Sequence, residues 1–245
     1  MLQAIKPYKK DFDYSYTLGV FLTIELLINK PDKVLTIILS AQGDKNSGVS
    51  KIKELAESLK IPMVINDKII SRLSPKENCY AIGLFSKYET DLEIKRNHVV
   101  LVNPMDSGNL GTILRTGLGF GITNIGIIRP AVDIFDPKTI RASMGALFGI
   151  NFSYYEDFEV YQKLYPEQDI YPFMLHAKRS LQDIDPYIKE PFSLVFGNES
   201  SGLPSEFAEV GTSVVIPHSP SIDSLNLSMA VGIACYAFTK KDFGV

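Results

Sequence analysis

Three polar loops hold the side chains that could do chemistry. NPMDSGN follows the apolar run HVVLV, GNESSGLP follows FSLVF, and PHSPSIDSLN follows TSVVI. The third is the densest: Ser219, Ser221, Ser224, Asn226 and Ser228 lead into the small-residue pattern LSMAVGIACYAF, which predicts a polar pocket against a packed helical wall. Hydroxyl and amide groups of this kind bind, orient and cap. Nucleophilic catalysis is not indicated, because a GxSxG elbow is absent and Glu199 holds the third place of GNESSG. His98, His176 and His218 lie far apart without ligand spacing, so no metal role is assigned to them. Cys79 and Cys235 form no CxxC pair and read as reduced thiols, without a disulfide framework or structural zinc. GLGFG, Gly117 to Gly121, resembles a nucleotide-binding turn, but it ends a helix and precedes the strand NIGII. A phosphate-binding turn needs the reverse order, so a dinucleotide enzyme is excluded and helix termination expected.

The loops need a scaffold, and strand–helix alternation supplies it. From His98 the series runs HVVLV (strand), LGTILRTGLGFG (helix), NIGII (strand), DPKTIRASMGAL (helix, with Asp136 as cap and Pro137 in the first turn), NFSYY (strand) and DFEVYQKLY (helix). DIYPFMLHA and FSLVF follow as strands, then PSEFAEV as a helix, TSVVI as a strand, and the closing helix. Continuous apolar runs such as HVVLV suit strands covered on both faces. The alternation predicts an open parallel α/β sheet, whose ligands bind outside the carboxyl ends of its strands.

Upstream, residues 1–96 read as a smaller α/β unit. SYTLGVFLTIELLIN has helical spacing, VLTIILS is a strand, SGVSKIKELAESLKI is a helix with a nearby serine cap, PMVIN is a strand, NDKIISRLS a short helix and YAIGLFSKY a strand. The polar stretch ETDLEIKRN lacks apolar periodicity and sets the boundary, giving domains at 1–96 and 97–245. With 245 residues and 45% apolar content the chain can bury the cores this requires. MLQAIKPYKKDF carries charges where a secretory signal needs an apolar stretch, and the run Tyr16 to Ile28 contains Glu25 and is too short for a bilayer. A cytoplasmic protein with no membrane partner is therefore expected. Residues 1–97 hold 15 Lys and Arg against 12 Asp and Glu, whereas 98–245 hold 10 against 16, so any nucleic-acid footprint falls on the first segment.

The three loops, with the helices they open, resemble the three signature motifs of the SpoU family of RNA ribose methyltransferases, also called the TrmH family, in the SPOUT superfamily. The match spans 98–238 in the right order. Asn109 and Arg115 in NLGTILRT fit a first motif in which an asparagine stands six positions before an arginine. Gly197, Glu199 and Gly202 fit the GxExxG loop, and Ile216, Pro217, Ser224, Leu225, Asn226 and Ser228 fit an IP pair followed by SLNxS. RASMGAL, Arg141 to Leu147, also resembles a family segment. His218 stands where the family usually has methionine.

The resemblance implies a C-terminal trefoil knot, S-adenosylmethionine bound within it, and a homodimer with the active site at the interface. By family position Gly197, Ile216, Leu225, Asn226 and Ser228 contact the cofactor, and Arg115, Asn109, Glu199, Ser224 and Asn226 form the catalytic set. The first 96 residues look like the small RNA-binding domain, similar to a ribosomal protein, that many members carry. Asn78, Cys79 and Tyr80 replace a run that is often His-Gln-Gly. The implied reaction is in-line methyl transfer to a ribose 2′-hydroxyl, in ribosomal RNA ahead of transfer RNA; a non-catalytic RNA-binding protein of the same fold is the alternative. Orientation supplies about 7–11 kcal/mol to such a step, and no metal is needed. The family proposal makes the arginine a base, yet a guanidinium keeps its protons and grips a phosphate better. Two readings stay open for Glu199, direct catalysis and acceptance of loop N–H groups. Ser224 and Asn226 also suit helix capping.

Overall fold

The structure is a computed structural model and describes residues 5–74, 78–184 and 188–243. Contacts divide the chain into two compact units, Met1–Tyr88 with Asp133–Gly149, and Glu89–Val132 with Ile150–Val245.

The first unit is built on β1 (Tyr14–Tyr16), α1 (Val20–Asn29), β2 (Val34–Leu39), α2 (Ser47–Ser58), β3 (Met63–Ile65), α3 (Asp67–Leu73) and β4 (Ala81–Ser86). Its sheet has the order β1-β4-β2-β3, with β2 parallel to β3 and β4 antiparallel to both its neighbours. The helix expected over 15–29 is a strand followed by a helix. Gly19, at φ 106°, takes a conformation that suits only glycine, and the residues before it pair with β4 instead of coiling. The cap of α2 is Asn46, whose side chain accepts from Gly48 N and Val49 N, and not a serine.

The second unit opens with β5 (His98–Val102), α4 (Ser107–Gly119) and β6 (Asn124–Ile128). After it, α5 (Pro137–Ala142) lies in the stretch that belongs to the first unit. Asp136 caps α5 through Lys138 N, but the helix stops before Met144 and Gly145, at φ 50° and 85°, so RASMGAL is only partly helical. The second unit resumes with β7 (Asn151–Tyr155), α6 (Phe158–Leu164), β8 (Asp169–Pro172), β9 (Arg179–Ser180), β10 (Phe192–Phe196), β11 (Val214–Val215) and α7 (Leu227–Thr239). PSEFAEV yields only a 3-10 turn at Ser205–Glu209, and the strand expected over DIYPFMLHA ends at Pro172. GLGFG closes α4: Ile122 N donates to Gly117 O at 2.9 Å, and Gly121 has φ 72°.

Five strands form a fully parallel sheet in the order β7-β6-β5-β10-β8. Alternation along β10 divides its side chains between two layers. Phe192 meets Phe238 of α7 at a ring distance of 5.2 Å, and Phe196 stacks on Phe173 at 4.6 Å. On the other face Val195 joins Val100, Val102 and Ile128 under Phe158, Tyr161 and Tyr165 of α6. Removing the fully buried ring of Phe238 would cost roughly 3–5 kcal/mol.

At the amino ends of β5 and β10 the same layer holds a buried polar cluster. Glu93 O can only accept, so His98 Nε2 donates to it at 2.9 Å and Nδ1 accepts from the Tyr161 hydroxyl at 2.8 Å. Ser193 Oγ lies 2.6 Å from that hydroxyl and 2.9 Å from Gln168 Oε1. Burial pushes the His98 imidazole down to about 4, so the ring is neutral near neutral pH. Among the described residues no cluster of His, Cys, Asp or Glu could hold a metal, and no helix is long and apolar enough to cross a membrane.

Candidate active site

Registry between β5 and β10 sets the site. Phe196 lies opposite Leu101, so the loops after these strands leave the sheet side by side. Asn103 turns the first loop with φ 53°, a left-handed conformation asparagine tolerates, and its carbonyl accepts from Asn198 Nδ2 at 2.8 Å. In the second loop Asn198 Oδ1 accepts from Ser200 N at 2.9 Å and Ser201 N at 3.2 Å. A Cβ on Gly197 would lie 2.1 Å from the Gly202 carbonyl carbon, and Gly202 has φ 68°. Both glycines of GxExxG are thus dictated by the tightness of this turn.

Glu199 ties the second loop to the first. Its Oε1 accepts from Asp106 N at 3.1 Å and Asn109 Nδ2 at 3.4 Å, and its Oε2 accepts from Met105 N at 3.1 Å. Asp106 is the cap of α4, accepting from Asn109 N at 2.7 Å, so the carboxylate sits beside the positive end of that helix. The third loop joins through Asn226, whose Nδ2 donates to Asn109 Oδ1 at 3.1 Å. Asn226 Oδ1 caps α7, accepting from Ser228 N at 2.9 Å and Ser228 Oγ at 2.7 Å. One hydrogen-bonded run, Ser228–Asn226–Asn109–Glu199, therefore links all three loops. Helices α4 and α7 pack together behind it, where Gly232 leaves room for Thr116: a Cβ there would stand 3.6 Å from Thr116 Cγ2.

Beside this junction, at the carboxyl ends of β8 and β10, lies a cavity of about 670 Å³. Gly197, Glu199, Ile216, Ser224 and Leu225 line it, as do His218 and the stretch Phe173–His176. Asn109, Asn226 and Ser228 are not in its wall; they hold the loops that are. Arg115 is exposed on α4, six residues beyond Asn109 and so roughly 120° round the helix, and does not line the cavity. Among the described residues it makes no hydrogen bond or ion pair. The loop Phe173–His176 was missed as a wall because FMLHA reads as a continuation of β8; Pro172 was the signal that the strand stops. Cys235 is buried in α7, and burial pushes its thiol up to about 12, so it is no nucleophile.

The model of the SpoU rRNA methylase family matches residues 96–236, more than half of the chain. The chain belongs to the SpoU rRNA methylase family. Among curated relatives, an uncharacterized tRNA/rRNA methyltransferase of Synechocystis is 32% identical over 141 residues, 56% of this chain and 51% of the relative. The 23S rRNA (adenosine(1067)-2′-O)-methyltransferase of Streptomyces laurentii is 34% identical over 157 residues, 62% of this chain and 57% of that protein. The chain thus spans about half the length of these curated relatives. The crystal structure of an AdoMet-bound rRNA methyltransferase from Sinorhizobium meliloti superposes with TM-score 0.76 at 26% identity, covering 94% of this chain and 88% of that one. The SpoU methyltransferase AviRb of Streptomyces viridochromogenes, at 20% identity and TM-score 0.82, covers 95% of this chain and 91% of its own and shares the fold.

Proposed function

We propose that this chain is an S-adenosylmethionine-dependent RNA methyltransferase acting on a ribose 2′-hydroxyl. The observation that carries the reading is the run Ser228–Asn226–Asn109–Glu199, which joins the three motif loops at the edge of one cavity. That cavity suits the cofactor: its volume of about 670 Å³ is in the range of small-molecule sites, Ile216, Leu225 and Leu227 offer an apolar wall for adenine, and Ser224 and Asn198 offer polar groups. Gly197, Ile216, Leu225, Asn226 and Ser228 would hold the cofactor, the last two through the loop they cap. Bound there, it would supply an activated methyl group; transfer to the 2′-oxygen would leave the C–S electron pair on sulfur, and the hydroxyl proton would pass to solvent water.

The chain's own part is orientation, worth about 7–11 kcal/mol when the reacting groups are aligned. Asn109, Glu199, Ser224 and Asn226 fix the loops, and the Arg115 guanidinium grips the target phosphate and, through its positive charge, favours loss of the hydroxyl proton to solvent. Because Arg115 stands apart from the cavity of its own chain, we assign the working site to a homodimer interface. On α7 Met229, Ile233 and Tyr236, exposed by 61%, 37% and 60%, form an apolar stripe at helical spacing that supports such an interface. A trefoil knot between β8 and α7 is part of the reading. It is supported by β10 lying between the earlier strands β5 and β8, and by β11 returning to pair with β9. Residues 1–96 are assigned to RNA binding and 97–245 to methyl transfer, in the cytoplasm, with ribosomal RNA as substrate.

Two experiments test this. Calorimetry of the full chain with S-adenosylmethionine should show binding, and a folded protein that binds none would be a non-catalytic RNA-binding member. Mapping 2′-O-methyl sites in total RNA from a strain lacking the protein should reveal one lost ribosomal site. A site lost from transfer RNA would move the substrate, and no lost site would end the proposal. Arg115→Ala should lose single-turnover methylation at saturating cofactor.

A further inference from the structure

His218 stands in the third motif loop, directly after Pro217, and lines the cavity. His218 Nδ1 lies 2.9 Å from Ile216 O. A carbonyl only accepts, so Nδ1 carries the hydrogen, and in the neutral ring Nε2 is left with its lone pair. Among the described residues Nε2 makes no hydrogen bond. The ring is half-buried, and its tether to Ile216 forms equally well in both charge states, so the tether does not prevent Nε2 from taking up a proton.

Three other titratable side chains line the cavity: His176, Glu199 and Asp223. Glu199 is committed to Met105 N, Asp106 N and Asn109 Nδ2, and Asp223 is exposed to water, which leaves neither carboxylate dedicated to the imidazole. A proton on His218 therefore places a positive charge in the wall of a site whose proposed ligand is itself a cation.

We propose that His218 couples cofactor binding to protonation: the neutral ring admits the cationic sulfonium, and proton uptake at Nε2 weakens S-adenosylmethionine binding more than that of uncharged-sulfur S-adenosylhomocysteine. This rests on the function proposed above. Binding draws His218 toward its neutral form, so S-adenosylmethionine affinity rises with pH. One linked proton allows at most about a tenfold change in Kd per pH unit.

The test is calorimetric titration of the full chain with each ligand at about pH 5.5 and about pH 8, in pairs of buffers with different ionisation heats. The wild type should lose at least about fivefold in S-adenosylmethionine affinity on acidification, release protons on binding, and lose less for S-adenosylhomocysteine, within the limit one proton sets. His218→Gln and His218→Met should bind with flat profiles, while His176→Asn keeps the wild-type slope; circular dichroism checks folding of each. A wild-type profile without proton release, an equal slope for both ligands, or a slope that survives in both His218 variants overturns the inference while the methyltransferase reading stands. Failure of the folded wild type to bind either ligand at any pH overturns both.

Discussion

Replacing Glu199 by glutamine separates a carboxylate that joins loops from one that acts on substrate. Its two oxygens receive Asp106 N and Met105 N at 3.1 Å, Asn109 Nδ2 at 3.4 Å and Asn198 Nδ2 at 3.5 Å. A carboxylate only accepts, whereas a glutamine amide has one accepting oxygen and one donating NH2. Whichever way the amide turns, one backbone N–H at the start of α4 loses its acceptor and faces a donor. A hydrogen bond to a charged group contributes about 1.5–3 kcal/mol when buried, and loss of the negative charge at a helix amino end adds about 0.3–1 kcal/mol. Glu199 is half-buried and water recovers part of this, so the expected loss is about 1–2 kcal/mol for Glu199→Gln, and more for Glu199→Ala, which also removes the tie to Asn109. Urea unfolding at one fixed protomer concentration measures it, alongside calorimetric S-adenosylmethionine affinity. The loop-joining account expects stability, affinity and methylation to fall together. It is refuted if Glu199→Gln keeps wild-type stability and cofactor affinity while methylation alone is lost.

Three further outcomes follow from the same geometry. Gly197→Ala should fail to close the second loop, because its Cβ would lie 2.1 Å from a backbone carbon of Gly202; soluble protein with unchanged S-adenosylmethionine affinity would contradict the loop's tightness. His98, held near 4 when folded against roughly 6.5 in an unfolded chain, is protonated more readily after unfolding. Its contribution is complete above about pH 6.5 and is lost as pH falls toward about 4, a drop of up to about 3 kcal/mol that urea curves at several pH values should show in wild type and not in His98→Asn. Tyr236→Glu, on the exposed stripe of α7 that we assign to a homodimer interface, should sediment as a monomer with unchanged circular dichroism where the wild type sediments as a dimer; a wild type that sediments as a monomer removes that assignment.

Much of the second unit was legible because its strands are mostly apolar and its closing helix begins at a capping residue: HVVLV, NIGII, FSLVF and Asn226 all stand where the pattern put them, as does Asp136 in the first unit. Legibility failed where short-range pattern competes with pairing. SYTLGVFLTIELLIN satisfies helical spacing throughout, yet Tyr14–Tyr16 is claimed by β4, a partner about 70 residues away. The membership of Asp133–Gly149 in the first unit likewise depends on partners remote in sequence: Ser15 Oγ donates to Phe135 O at 2.6 Å and Tyr88 OH to Leu147 O at 3.3 Å. PSEFAEV carries helical spacing but makes only one 3-10 turn after Pro204.

The site itself was half legible, and the missing half is strand registry. Motif spacing named Asn109, Glu199 and Asn226 separately, but nothing within a motif says that residues 90 and 117 positions apart share hydrogen bonds. That depends on β10 pairing with β5 so that Phe196 faces Leu101. A slip of two residues would keep every side chain on its own face, and so satisfy the hydrophobic pattern, yet it would carry Glu199 about 7 Å along the strand axis and out of reach of Met105 N and Asp106 N. A one-residue slip is already forbidden by burial, since it would turn Phe192 and Phe196 away from Phe238 and Phe173. The polar junction therefore supplies what the apolar core leaves undetermined: the core selects the face, and the Glu199–Asn109–Asn226 contacts select the registry at which a cavity forms.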